Sequence, residues 1–249
     1  MLFLRVLCIV LLTMATVTEP VHAGRGKRRR CCCCRVEPVR VSSETRATAL
    51  THKPSTEVSS SPQTQNLFDG KTLTGWKIAD KFTFDAHGDV RVRDGKIELA
   101  AGSPATGIVW AGQPPRRDYE LSLEAMRTDG SDFFCGVTFP VGKEYCSLII
   151  GGWGGGLVGL SNVDSIAANE NETTNYQEFE ENKWYRIRLR VVTGRIDVWI
   201  DNQQVIKLET ANRGFDIWWE QEPMRPLGIA TWYTGAAFRD ISIRRLAEE

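Results

Sequence analysis

Apolar and polar residues alternate with a period of two along much of the chain beyond residue 66. In Tyr119-Glu-Leu-Ser-Leu-Glu-Ala125, Tyr119, Leu121 and Leu123 share one face, and Glu120, Ser122 and Glu124 share the other. Arg186, Arg188 and Arg190 oppose Ile187 and Leu189 in the same way, and Ile196, Val198 and Ile200 repeat the pattern after Thr193-Gly194. Such alternation marks half-buried antiparallel strands, and two runs joined by so short a turn form a hairpin. Asp201-Asn202 turns the chain again toward Val205-Ile206. Further strands are predicted at Val90–Arg93, Lys96–Ala100, Gly107–Ala111, Phe133–Phe139, Tyr145–Ile150, Leu157–Leu160, Leu227–Trp232 and Ala237–Arg245. Asp94-Gly95 is a two-residue hairpin turn between the first two of these. No segment carries a capped helical stripe. About a dozen short strands over about 180 residues predict an all-β fold, a jelly-roll sandwich of two antiparallel sheets.

The chain before residue 66 follows another pattern. Residues 35–65 are rich in Ser, Thr, Pro and charge, a composition that buries too little surface to offset the entropy of ordering. Arg5, the apolar run from Val6 to Val17 and Val21-His-Ala23 together read as a signal peptide with a mature start at Gly24. The apolar run is short for a membrane span, which needs about 20 residues. The basic stretch from Gly24 to Arg30 opposes export, so an inverted anchor is the alternative reading. The expected organisation is a signal peptide over 1–23, a disordered basic and Cys-rich linker over 24–65, and a β-sandwich over 66–249. The protein is expected to be secreted or periplasmic, without a stable membrane span.

Charge narrows the partners. The 249 residues hold 31 Lys or Arg and 31 Asp or Glu, but from Ala47 onward 22 basic residues face 28 acidic ones, a net of −6. This balance gives no footprint for nucleic acid, which needs a concentrated basic face, and suits an uncharged glycan. Cys31 to Cys34 stand in a row, a spacing that fits neither a disulfide framework nor a zinc site. Cys135 and Cys146 flank a predicted turn around Pro140-Val141-Gly142, placed diagonally for a bridge across that hairpin.

Several segments resemble the 3-keto-disaccharide hydrolase domain family. Leu67-Phe-Asp-Gly-Lys-Thr-Leu-Thr-Gly-Trp76 is similar to its opening signature, and Val92-Arg-Asp-Gly-Lys-Ile97 to its next hairpin. Arg117-Asp-Tyr-Glu-Leu121, Trp184-Tyr-Arg-Ile187 with Ile200-Asp-Asn-Gln203, and Leu227-Gly-Ile-Ala through Phe238-Arg-Asp-Ile-Ser-Ile243 follow in the family's order. The resemblance covers about residues 66 to 246 and implies a concanavalin A-like sandwich that cleaves glycosides of 3-keto sugars. Polar positions of the family pattern are replaced, three in the middle strands and one in the closing region, where its Leu-Gln falls near Ala230-Thr231. Its Arg falls near Pro140, its Glu near Cys146 and its Gln near Leu148.

A 3-keto group acidifies the neighbouring C–H, so cleavage needs a base and a proton donor for the leaving oxygen. A divalent metal is a possible aid to the enolate. His52 lies in the linker and His87 in a polar turn, so the base is expected to be a carboxylate. Asp132, Glu170 and Glu220 are the candidate catalytic acids, with Glu172 and Glu222 nearby in sequence. Ala168-Asn-Glu-Asn-Glu-Thr173 is rich in oxygen ligands and contains the sequon Asn171-Glu-Thr173. Asn162, Asp164 and Arg239 are candidate substrate contacts, as are Trp153, Trp218 and Trp219, whose rings can stack on a sugar. Gly151-Gly-Trp-Gly-Gly-Gly156 is either a platform presenting Trp153 or a bend whose Trp caps the sandwich. A non-catalytic, lectin-like module on the same fold is the alternative to an enzyme.

Overall fold

The structure, a computed structural model, describes residues 63–247. The predicted signal peptide, the Cys31–Cys34 run and nearly all of the predicted linker lie outside the described residues. Fifteen strands are present among the described residues: β1 (Thr64–Asn66), β2 (Trp76–Ile78), β3 (Val90–Arg93), β4 (Lys96–Leu99), β5 (Ala105–Trp110), β6 (Tyr119–Asp129), β7 (Cys135–Val141) and β8 (Glu144–Gly151) form the first half. The second half comprises β9 (Leu157–Ser161), β10 (Asn175–Tyr176), β11 (Tyr185–Val192), β12 (Arg195–Ile200), β13 (Gln203–Glu209), β14 (Gly228–Trp232) and β15 (Gly235–Arg245).

The strands form two antiparallel sheets. One runs β13-β12-β11-β6-β15-β4-β3, with β1 also paired to β15, and the other runs β10-β9-β8-β7-β14-β5-β2. Alternation decides which side chains meet between them. Leu121, Leu123, Ile187, Leu189 and Val198 of the first sheet face Val137, Phe139, Leu148, Ile150 and Leu160 of the second in one buried core. Tyr119 crosses this layer, its hydroxyl donating to the Pro140 carbonyl at 2.7 Å. Phe134, Phe179 and Tyr185 close one end, with ring centroids 5.0–6.3 Å apart.

The predicted hairpins form, with boundary changes that have local causes. Asp94 and Gly95 both adopt positive φ, as a type I′ turn requires. The β7–β8 turn falls at Gly142-Lys143, not around Pro140, because Pro140 pairs with Tyr145 and Val141 with Glu144 inside the ladder. That register places Cys135 opposite Ile150 and Cys146 opposite Phe139, four residues apart along the strand, or roughly 13 Å. No bridge forms between them. Burial pushes both thiols far above the ordinary range. Native protein is therefore expected to leave Cys135 and Cys146 unlabelled by a thiol reagent until denaturant is added, which peptide mapping of the labelled sites checks.

A smaller cluster lies on the far side of the seven-stranded sheet. Phe84, Ala105, Phe133, Ile149, Leu157, Ala168, Met224 and Ala230 pack there beneath the 3-10 turns Phe82–Phe84 and Trp219–Met224. The sheet's outward positions on β7 and β14 are small or polar, Gly136 and Thr138 on one and Gly228 and Ala230 on the other. These small residues let the cover pack closely, since a Cβ at Gly136 would lie 2.8 Å from the Phe133 ring and one at Gly228 2.6 Å from the Met224 backbone.

Candidate active site

A cleft of about 270 Å³ opens on that outer face. Ser147 and Ile149 of β8 and Ser161 of β9 supply its floor, and Phe133, Trp153, Trp218 and Trp232 its walls. Asp132, Glu220 and Gln221 bring the polar groups. Two elements fix the walls. Trp218 donates its indole N–H to Ser161 Oγ at 3.0 Å, and Phe133 stacks on Trp232 at 6.0 Å. Thr83 Oγ1 donates to the Glu220 carbonyl at 2.9 Å, joining the two 3-10 turns at the cleft's edge.

Trp153 stands on a turn shaped by an arginine. Arg127 is only 7% exposed, on the core-facing phase of β6, and donates to the carbonyls of Gly155 at 2.7 Å and Gly151 at 3.5 Å. Its guanidinium lies 5.2 Å from the Phe134 ring centre. A Cβ at Gly151 would come within 2.7 Å of both Arg127 and Phe134, so the turn closes over the arginine only because glycine stands there. Between these anchors Trp153 takes φ 46° and is 47% exposed at the cleft's rim.

Asp132 is the acid the fold sets apart. Its backbone N–H donates to Thr234 Oγ1 at 3.0 Å, and its Oδ1 accepts from the Phe133 N–H at 2.7 Å. Burial raises the carboxyl above its ordinary range, against the opposing pull of the Phe133 and Trp153 N–H groups and the Arg127 charge. Glu220 differs, since its Oε2 is buried without a hydrogen-bond partner in the protein. A buried acceptor left open at a cleft takes its donor from water or from a ligand.

Comparison with known proteins decides the family. A sequence model of the 3-keto-alpha-glucoside-1,2-lyase-like domain matches residues 63–244. The chain belongs to this family. No curated protein matches it. Among solved structures it is similar to the β-glucanase of Bacillus licheniformis, at 12% identity and a TM-score of 0.50, covering 76% of this chain and 100% of that one. It is also similar to the carbohydrate-binding module CBM66 from Bacillus subtilis, at 13% identity and a TM-score of 0.46, covering 68% and 94%. The first likeness shows the fold, a jelly-roll sandwich.

Within this lyase-like domain the cleft gathers four of the nine candidate residues, Asp132, Glu220, Trp153 and Trp218. The other five lie outside its lining. Glu170 is exposed on the loop after β9, and Trp219 stands exposed beside Trp218, so neither tryptophan of the pair is in the core. Asn162 is buried with both side-chain ends engaged, accepting from Ser161 Oγ at 2.9 Å and donating to Asp216 at 2.5 Å. Asp164 pairs with Arg213 at 2.5 Å and accepts from the Gly214 N–H at 2.8 Å. Arg239 sits on the other sheet's outward face, 2.7 Å from Glu124 and stacked 4.1 Å above Trp184.

The polar loop 168–173 commits much of its polar chemistry to contacts within the protein. Asn171 donates to the carbonyls of Leu160, Ile166 and Ala167 and accepts from Thr173, while Glu172 pairs with Arg213. Among the described residues no group of three or more His, Cys, Asp or Glu side chains is placed to hold a metal ion. The family's replaced polar positions gain a physical reading as well. Cys146 and Leu148 point into the core, while Ser147 and Ile149 line the cleft, so the family's Glu and Gln fall one residue from the strand phase that faces the cleft.

Arg127, Phe133, Trp232 and Gln221 escaped the sequence reading. For Arg127 a signal existed. It continues the phase of Tyr119, Leu121, Leu123 and Ala125, which makes it a charge at an inward position.

Proposed function

We propose that this protein is an exported carbohydrate-active enzyme that cleaves glycosides of 3-keto sugars in the cleft over the seven-stranded sheet. The observation that carries this reading is Asp132, a half-buried carboxyl held by backbone N–H groups at a cleft walled by tryptophans, with its proton affinity raised. A base for a carbon acid works best when its pKa is drawn toward the working pH. Asp132 takes the proton from the carbon next to the keto group. The freed electron pair forms a double bond to the anomeric carbon, and the glycosidic C–O bond breaks. The protonated Asp132 then gives its proton to the leaving oxygen, which restores the carboxylate and releases the free sugar. Addition of water across the new double bond completes hydrolysis. Glu220 Oε2 accepts a substrate hydroxyl, and Trp153 and Trp218 stack on the rings.

Export rests on the apolar run from Val6 to Val17 and the Val21-His-Ala23 pattern. No helix among the described residues is long and apolar enough to cross a membrane.

The full chain is to be incubated with a 3-keto-disaccharide, with and without added divalent metal, while release of free sugar is followed. Release supports the reading, and its absence under both conditions overturns it. A lectin-like role on the same fold is favoured by one observation, the tryptophans and apolar groups that dominate the cleft wall. Trp153→Ala separates the two by isothermal titration. It is expected to weaken sugar binding by about tenfold, the loss of roughly 1–1.5 kcal/mol of ring contact. In a lectin it changes binding alone; in the enzyme it lowers turnover at limiting substrate as well.

A further inference from the structure

We propose that the outward face of the eight-stranded sheet is a second binding surface, fitted to an anionic polysaccharide. Arg186, Arg188 and Arg190 project from β11 opposite Glu124, Ser122 and Glu120 of β6. On the other side of β6, β15 sets Arg239 opposite Glu124, Ser242 opposite Ser122 and Arg244 opposite Glu120. The three central strands thus carry five arginines on this face against two glutamates.

The excess is concentrated at one point. Glu120, 7% exposed, accepts from Arg190 at 2.9 and 3.1 Å, from Arg244 at 3.0 Å and from Arg188 at 3.5 Å. One carboxylate among three guanidinium groups, with Asp197 opposite Arg190 already engaged by Arg195 and Gln204, leaves an excess of positive charge held together by strand register. Their repulsion is relieved by an added anion. These arginines are reachable, with side chains 27–40% exposed. Arg188 lies 4.4 Å and Arg190 5.3 Å from the Trp199 ring centre, which orders their planar forks for paired bonds to a carboxylate or sulfate.

The flanks are closer to balance. Asp197 holds Arg195 at 2.7 Å and Gln204 at 2.8 Å, and Asp240 lies 3.9 Å from Arg239. Residues 63–247 carry 21 basic and 25 acidic side chains, a net of −4, so this cationic centre stands against the charge of the domain. Successive outward arginines of β11 are about 7 Å apart along the strand, a repeated spacing suited to charges on successive sugars of one extended chain. Single-stranded nucleic acid needs open aromatic rings on which to stack, and Trp199 already carries two arginines.

The test uses the full chain with polygalacturonate, dextran sulfate, neutral dextran and a single-stranded oligonucleotide as probes at graded salt. Binding is expected to the carboxylated or the sulfated polymer, to weaken with salt, and to be absent for dextran. Arg188→Gln with Arg244→Gln leaves Arg190 to pair Glu120, and its melting curve confirms folding. This variant is expected to lose about tenfold or more in affinity and about two from the slope of log affinity against log salt. The corresponding Lys pair should keep the wild-type salt slope but, lacking the planar forks, bind with an affinity between those of wild type and the Gln pair. Failure of both anionic polymers to bind overturns the proposal. So does a Gln pair that binds like wild type, which would place binding on the basic segment from Gly24 to Arg30, or tighter binding of the oligonucleotide. None of these readouts involves the cleft, so they are independent of the proposed activity.

Discussion

Asp132→Asn is expected to reduce release of free sugar from a 3-keto-disaccharide by about 100- to 10,000-fold while raising the melting temperature at neutral pH. The first effect removes the proposed base and keeps its shape, since the amide oxygen still accepts from the Phe133 N–H. The second follows from the direction of the proton affinity shift. Burial raises the folded-state pKa of Asp132 above its ordinary value, so the folded protein holds this proton more tightly than the unfolded chain does. As pH rises from the unfolded value through the raised folded value, native Asp132 costs stability, because a charge must then sit half-buried. Asparagine carries no such charge. The stability difference between variant and wild type is therefore largest at neutral pH and closes as the pH falls toward the ordinary carboxylate range. Wild-type turnover should rise with pH through the same raised value. Melting curves and pH–rate profiles of the two proteins check both claims. Unchanged turnover in the variant would remove Asp132 from the chemistry, and a lower melting temperature would show that its charge is stabilising.

Asn171→Ala is the second large effect, and it concerns the frame. The Asn171 side chain is 7% exposed and holds the carbonyls of Leu160 at 2.8 Å and of Ile166 and Ala167 at 2.9 Å each. Its own oxygen takes the Thr173 N–H at 2.9 Å and hydroxyl at 2.6 Å. Alanine leaves several buried groups unpaired at once, a loss of about 3 kcal/mol or more. For a domain of this size that lowers the melting temperature by roughly 6–12 °C. Thermal unfolding measures it, and a shift below about 2 °C would mean that water replaces the amide readily. The same geometry bears on the sequon. The nitrogen a glycan would need is the donor that closes this loop, so protein passed through a eukaryotic secretory pathway should show no added mass at Asn171.

The architecture was legible because the sandwich core imposes alternation on the long strands of the eight-stranded sheet. Leu121, Leu123, Ile187 and Leu189 announce the buried face, and Asp94-Gly95 announces its turn. The elements that escaped are those too short to show a period, such as Thr64–Asn66, Trp76–Ile78 and Asn175–Tyr176, which take their conformation from longer neighbours. Strand ends slipped where a residue outranked its propensity. Pro140 reads as a turn signal, yet it belongs to the ladder and accepts the Tyr119 hydroxyl.

The cleft was legible only in part, for a different reason. Its residues arrive from β8, β9, β14 and three loops, and nothing in a linear chain says that Asp132, Trp153, Trp218 and Glu220 share one space. Asn162, Asp164 and Glu172 had equally suitable chemistry but are spent on neighbours, a fact that depends on loop conformation. Arg239 had a motif behind it and lies on the other sheet because strand β15 belongs there.

The turn that carries Trp153 also constrains how this protein can diversify. Gly151 is closed to any larger residue by Arg127 and Phe134, and Gly155 is disfavoured for one by its φ of 104°, whereas the Trp153 side chain is half exposed. The frame is thus fixed while the side chain at its tip is exposed, so the surface at the rim can change through substitutions that tolerate the φ of 46° at Trp153 without disturbing the scaffold that presents it. Such a division makes the rim of this cleft the place where related chains can acquire new specificities at little cost in stability.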